Sequence, residues 1–301
     1  MRESRSGWIG IQRSMLGPFH PGEIEAQACA GGGPGGAGIR DFLVEQQRAF
    51  FRALPCLFVG STARGWPWAT LLAGPPGFVD TPDERTLSVR APLDPADPAQ
   101  QAIEPGSAAA ALGIDLATRR RNRANGFVSA AGPGGFTLDV RQGFGNCPQY
   151  IHPRLFRPLP GGWQAPEELG GLDGEAREAI GSADTFFVAS VARTGDPRGG
   201  ADISHRGGWP GFVRVEGDTL VVPDFRGNRY FNTLGNLVSN PRAALLFVDF
   251  ERGGLLHLQG STEIVWEGPM EDEVEGVERV WRVRVEGGFR KRAAAQPRKS
   301  R

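Results

Sequence analysis

The stretch TFFVASVARTGDPRGGADISHRGGWPGFVRVEGDTLVVPD, residues 185–224, decides the fold. It begins with a short apolar run, turns at TGDPRGG, continues as ADISHRGG and GFVRVEG, and ends in a TL-led run of β-branched residues. Short runs of this kind, bounded by Gly and Asp turns, read as strands of a barrel or sandwich. The first half repeats the series: CLFVGST (56–62), a turn at Arg64-Gly65, WPWATLLAG (66–74), PPGFV (75–79) and TLSVRA (86–91). Further on, AAAALGIDLATRRRNRANG (108–126) parallels AALLFVDFERGGLLHLQG (243–260). A long-period duplication outranks any single element in choosing a fold. The expected class is mainly β with flanking helices, as two barrels in tandem.

Helical patterns precede each series. Ile39, Phe42, Leu43, Phe50 and Leu54 fall at helical spacing over 39–54, and Pro55 ends the run. A second helix is expected within 165–183. The expected organisation is a flexible segment over 1–38, a first barrel over 39–160, a second over 161–285, and a basic disordered tail over 286–301. Gly31, Gly33 and Gly36 satisfy G-x-G-x-x-G, but the preceding EIEAQACA is a poor strand and Pro34 interrupts the loop, so a linker is expected there.

Composition narrows the function. Lysine plus arginine (34) equals aspartate plus glutamate (34), whereas a nucleic-acid partner usually leaves a basic excess. The RRRNR run (119–123) and the C-terminal basic residues lack interleaved aromatics for base stacking. The first could still contribute to an anion site between barrels. No stretch approaches the roughly 20 apolar residues of a membrane span. MRESRSGWIGIQRSML lacks an apolar signal core, and Cys29, Cys56 and Cys147 are far apart. The expectation is a cytoplasmic protein with neither nucleic-acid nor membrane partner. The four histidines lack metal-ligand spacing, so no metal is expected.

Three segments carry candidate chemistry. PDFRGNRYFNTLGNLVSNP (223–241) follows a strand with a polar loop, and Phe231, Leu234 and Val238 give the following segment an apolar helical face. A helix over 229–238 with Asn228 as N-cap would offer free N–H groups to a phosphate, flanked by Arg226 and Arg229. In ADISHRGG (201–208), alternation places Asp202, Ser204 and Arg206 on one face and Ile203 and His205 on the other. VRQGFGNCPQYIHPR (140–154) is looped by its glycines and presents Asn146, Cys147, Gln149 and Tyr150.

With these segments together, the chain resembles the pyridoxamine 5′-phosphate oxidase-like family, the split barrels that bind flavin mononucleotide (FMN), in a branch with two units in tandem. The likeness rests on ISHRGGWPGFVRV, LVVPDFRGNRYFNTLGNLVSNPRAALLFVDF, LLHLQG, RRRNRANG, GFGNCPQYI and FHPGE (19–23). It implies a six-stranded barrel with FMN in a groove between two barrels. Ser204, His205 and Arg206 would flank the flavin. Asp224, Arg226, Asn228 and Arg229 would surround the phosphate end, with Asn232 and Thr233 beside them. Asn146, Cys147 and Tyr150 would approach from the facing unit.

The first copy has Pro-rich PLDPADPAQQAIEPGS (92–107) in place of the phosphate loop, so one flavin per chain is expected. The vitamin B6 substrate residues of true pyridoxamine phosphate oxidases are not reproduced, and no catalytic acid, base or nucleophile stands out. The leading expectation is an FMN-dependent oxidoreductase acting on a small molecule, with NADH or NADPH as donor. The alternative is a carrier or sensor of flavin or haem, with His205 or His257 as axial ligand. A protein that has lost ligand binding ranks third. Either one tandem chain or a homodimer would complete the groove.

Overall fold

The computed structural model describes residues 17–156, 163–193, 198–266 and 275–293. The first half holds strands β1 (Cys56–Ala63), β2 (Trp66–Ala73), β3 (Val79–Asp80), β4 (Thr86–Val89), β5 (Ala108–Asp115), β6 (Arg120–Gly132) and β7 (Gly135–Gly145). After β8 (Glu167–Leu169) come β9 (Thr185–Val191), β10 (Ala201–Gly207), β11 (Arg214–Glu216), β12 (Thr219–Phe225), β13 (Arg242–Val248), β14 (Leu255–Val265) and β15 (Val277–Lys291). The first sheet runs β2-β1-β5-β6-β7-β4-β3 and the second β10-β9-β13-β14-β15-β12-β11, with β8 paired to β15. Adding eight to each strand number of the first sheet gives the second. Each sheet thus carries the six expected strands plus a short edge strand, β3 or β11.

The apolar runs LFVG and FFVA are continuous because both of their faces are buried. In β1, Leu57 and Val59 join the core of the first barrel, while Cys56 and Phe58 join a separate core between the barrels. In β9, Phe186 and Val188 face the second barrel's interior, and Phe187 and Ala189 face the first barrel. Strand alternation accounts for both sets. Phe58 and Phe187, which correspond in the duplication, stack with ring centroids 3.5 Å apart, across an approximate two-fold relation between the units.

Among the described residues five helices flank the sheets: α1 (Pro21–Cys29), α2 (Glu45–Ala53), α3 (Pro98–Gln101), α4 (Gly174–Ser182) and α5 (Asn232–Ser239). Several differ from the sequence reading. Residues 39–42 precede α2 in non-helical form, and Arg40 bridges Gly143 of β7. The 165–183 segment divides into β8 and α4, because Asp173 caps α4 by accepting from the Ala176 N–H at 2.8 Å. The segment expected to be flexible contains α1. His20 accepts the Gly22 N–H, Glu23 accepts the His20 N–H at 2.9 Å, and Pro21 opens the helix. The expected basic tail is strand as far as Lys291, which is almost fully buried. Residues 1–16 and 294–301, and most of the TGDPRGG turn, lie outside the described residues.

Helix α1 packs on α5 through two glycines. A Cβ at Gly235 would lie 2.5 Å from Glu23 Cα and 2.7 Å from its N. Those are backbone atoms and cannot swing aside. Gly235→Ala should therefore lift α1 from α5 and expose residues 21–29 to limited proteolysis, while the sheet resists digestion. An unchanged digestion pattern would show that the contact is dispensable.

Candidate functional site

Two strands, a loop and a helix end enclose a polar cavity. Strand β10 supplies Ser204, His205 and Arg206, and β12 supplies Asp224. The following loop and α5 supply Asn228, Arg229, Asn232 and Thr233. From the first unit come Arg121 on β6 and Asn146, Cys147 and Tyr150 from the loop after β7. The residues expected to face one another are thus brought together across the inter-barrel groove. Arg226 does not line the cavity; its carbonyl accepts the Tyr150 hydroxyl at 3.0 Å.

The helix end differs from expectation in a way that favours an anion. Helix α5 begins at Asn232, three residues later than expected, and Phe231 rather than Asn228 occupies the cap position. Asn228 instead accepts the Tyr230 N–H at 3.2 Å, a side chain closing a local turn. Arg229 and Phe231 both have φ of +58°, which costs a bulky residue roughly 1–3 kcal/mol. No side chain caps α5, so the amides of its first turn, which have no intrahelical acceptor, are left for a guest at the positive end of the helix dipole.

Asp202 and Asp224 organise the arginines. Asp202 Oδ1 accepts from Arg123 at 2.8 Å, and its Oδ2 takes the Ser204 hydroxyl at 3.0 Å. Ser204 also meets the Thr233 hydroxyl at 2.8 Å, which ties β10 to α5. Asp224 accepts from Arg206 and, at 2.6 Å, from Arg279, which also reaches Glu278 at 3.0 Å. Arg121, Arg123, Arg206, Arg229 and Arg279 are therefore set against Asp202, Asp224 and Glu278. Five arginines face three carboxylates, an excess of two positive charges, and a phosphate monoester carries about −1.5 to −2.

Arg121 and Arg229 pair with no carboxylate among the described residues; Arg121 meets His205 and Arg229 the Ala30 carbonyl. Burial, with Arg123 and Arg206 nearby, pulls the Arg121 guanidinium down to about 9. One of its N–H groups donates to His205 Nδ1 at 3.2 Å. A guanidinium can only donate, so the His205 proton sits on Nε2. Burial, reinforced by Arg121 and Arg206, holds His205 well below the usual histidine range and therefore neutral. His205 Nε2, Asn146 Oδ1, Arg121 Nε and Arg229 Nε are all buried and have no hydrogen-bond partner among the described residues. Buried polar atoms are rarely left so. Their gathering around one cavity fits a ligand that accepts from His205 and the arginines and donates to Asn146.

The duplicated position in the first unit keeps a cavity of about 190 Å³, lined by Leu71, Leu72, Asp94 and Lys291 among others, but its chemistry differs. Strand pairing places Trp68, Thr70, Leu71 and Leu72 of β2 where β10 has Asp202, Ser204, His205 and Arg206. His257 corresponds to Arg123 and stacks on Phe289, centroids 4.1 Å apart. Its Nδ1 meets the Ala69 carbonyl at 2.9 Å, and burial holds it down to about 4. Lys291 bonds Asp94 at 2.9 Å and Asp97, the cap of α3, at 2.8 Å. An internal cation and two carboxylates thus occupy the region where the second unit offers arginines and open amides.

The sequence reading passed over Arg279 and left Arg121 and Arg123 open. The signal for Arg279 lay in alternation. It shares a strand face with Trp281, Val283 and Val285, which are buried while Arg282 and Arg284 are exposed. A charge in such a row marks a buried polar site. Among the described residues no group of His, Cys, Asp or Glu could hold a metal, and no helix is long and apolar enough to cross a membrane.

The fold and this groove define a tandem split-barrel protein. Residues 172–299 match the family model described as pyridoxamine 5′-phosphate oxidase. HupZ of Group A Streptococcus is 18% identical, with 38% of this chain and 90% of that one covered and a TM-score of 0.30. General Stress Protein 26 of Bacillus anthracis is 13% identical, with coverages of 37% and 87% and a TM-score of 0.28. An FMN-binding protein of Syntrophomonas wolfei is 11% identical, with coverages of 40% and 87% and a TM-score of 0.28. No curated protein matches the sequence.

Proposed function

We propose that the chain binds one FMN in the groove between its barrels and acts as a flavin-dependent oxidoreductase on a small molecule, with NADH or NADPH as electron donor. The observation that carries the flavin reading is the excess of two positive charges beside the uncapped end of α5. Arg229 and the first-turn amides of α5 would hold the phosphate. Arg121, His205 and Asn146 offer donor, donor and acceptor, the complement of a pyrimidinedione edge with two carbonyls and one N–H. The pairing of Asp202 with Arg123 and of Asp224 with Arg206 and Arg279 fixes the cradle in advance, so less ordering is lost on binding. The flavin supplies the electron transfer, and the protein orients it and shapes its electrostatic surroundings. The first unit's Lys291–Asp94–Asp97 cluster leaves one such site per chain.

The test is an FMN titration of purified protein, followed by absorbance and fluorescence, beside Arg121→Met and Arg229→Met. Saturation is expected at one flavin per chain, with each variant at least tenfold weaker, about 1.4 kcal/mol. A wild-type chain that takes up no FMN would overturn the reading. The loaded protein should then oxidise NADH or NADPH with an acceptor; absence of turnover across a broad acceptor panel would reduce the function to flavin carriage.

A further inference from the structure

A larger cavity, of about 520 Å³, lies on the other side of the Arg123–Asp202 pair. Asp202 and Asn232 take part in the buried network that divides it from the groove described above. We propose that this cavity is a second ligand site, for a small molecule with a planar body, an anionic arm and an N–H or O–H that donates to Asn125. The site is separate from the one assigned to FMN, and the proposal does not rest on that assignment.

Asn125 gives the first reason. It is 7% exposed, and its Nδ2 donates toward Asp202 Oδ1 at 3.4 Å. Asp202 accepts, so it fixes which end of the amide faces it. That leaves Oδ1 of Asn125, a residue that lines the cavity, as a buried acceptor with no partner among the described residues. A guest's donor would satisfy it.

Electrostatics give the second. The cavity contains carboxyl groups, yet its inner ones are silenced. Asp202 is paired with Arg123 at 2.8 Å. Glu23 is pushed up to about 8, chiefly by burial, and is protonated at neutral pH. At the wall, Asp41 is bound to Arg85 at 3.0 Å. Arg40, Arg141 and Arg198 line the same cavity. Arg141 is shared with Asp139 at 2.6 Å, and Arg198 bears on Glu23. Arg40 is exposed, has no carboxylate partner among the described residues, and lies 5.9 Å over the Phe42 ring. The wall therefore attracts an anion that the interior does not repel.

Shape gives the third. Phe42 and Phe127 are half-buried on the cavity wall, and the volume lies within the roughly 300–1,000 Å³ of small-molecule sites. Two sources present the required chemistry: a reduced nicotinamide dinucleotide, through its carboxamide and phosphates, or a hydroxylated aromatic acid.

The experiment titrates FMN-free full chain with NADPH and, separately, with 4-hydroxybenzoate by calorimetry, then repeats both on Arg40→Glu and Asn125→Ala. Saturable binding of at least one probe is expected, weakened roughly tenfold in each variant. Arg40→Glu alters an exposed side chain, so it tests the site even if Asn125→Ala fails to fold. Which probe binds distinguishes the two sources. Binding of neither probe at millimolar concentration, or equal affinity in wild type and Arg40→Glu, would overturn the proposal. So would competitive displacement of the probe by FMN, which would merge the cavity with the flavin site. FMN uptake is titrated on the same preparation. Failure of FMN to bind while a probe still does would defeat the flavin reading and leave this one standing.

Discussion

Asp224→Ala should destabilise the second barrel by about 3–5 kcal/mol, the range found when one partner is removed from a buried charge pair. Asp224 lies in β12, 5% exposed, with Arg206 on one oxygen and Arg279 at 2.6 Å on the other. Arg279 is itself 5% exposed and packs against Phe231, 4.9 Å from the ring centroid. Without the carboxylate, two guanidiniums would remain in a poorly solvated cradle that already holds Arg121 and Arg123. Their mutual repulsion adds to the loss of hydrogen bonds. Urea unfolding followed by tryptophan fluorescence, which includes the fully buried Trp281, would measure the effect. Inorganic phosphate should restore part of the loss, since an anion bound only by the folded state stabilises it. A loss below about 1 kcal/mol would mean that water solvates these arginines well, and the cradle could no longer be called preorganised. Replacing Arg279 as well, by Met, should recover stability, since an apolar substitute removes one stranded charge.

The duplication was legible in the sequence because its signals are local. LFVGS and FFVAS are apolar throughout, and each feeds a turn and a strand, so the two sheets with one strand order follow from patterning. The polar strand 201–206 was legible for the same reason: Asp202, Ser204 and Arg206 alternate with Ile203 and His205, and the structure places those faces toward α5 and toward the first unit. What failed depended on distant partners. FRKR at 289–292 reads as a solvated basic end, because nothing nearby neutralises it. Its Lys291 is instead satisfied by Asp94 and Asp97, 197 and 194 residues away. FHPGE belongs to a segment that reads as linker, yet Glu23 and His20 of α1 meet Asn232 and Asn236 of α5, more than 200 positions on. The start of α5 was misplaced for another reason. Asn228 is a good N-cap by type, but two left-handed residues follow it and delay the helix to Asn232.

That latch between α1 and α5 leads to the second large effect. Glu23 is 3% exposed, with Oε2 accepting the His20 N–H and Oε1 the Asn232 amide. These bonds favour the anion, as does Arg198, while Asp202 opposes it. Burial dominates and pushes the carboxyl from 4.5 up to about 8. A carboxyl raised on folding contributes stability that is present below its unfolded value, lost as pH rises toward the folded value, and not regained above it. Over the span from 4.5 to about 8, at 1.36 kcal/mol per unit, the loss reaches on the order of 5 kcal/mol. Glu23→Gln cannot ionise and should remove this slope. It also gives up one of the two acceptors, a cost of about 1 kcal/mol. The two stability profiles should therefore cross: wild type more stable near pH 4.5, the variant more stable near pH 8. Urea unfolding across that range would show the crossing, and hydrogen exchange over residues 21–29 would show whether α1 releases before the barrel does. Parallel profiles would mean that Glu23 ionises freely and water already reaches the latch. Because α1 covers the helix whose open end is proposed to hold the phosphate, a crossing accompanied by early release of α1 predicts weaker FMN retention at alkaline pH in the wild type and unchanged retention in the variant.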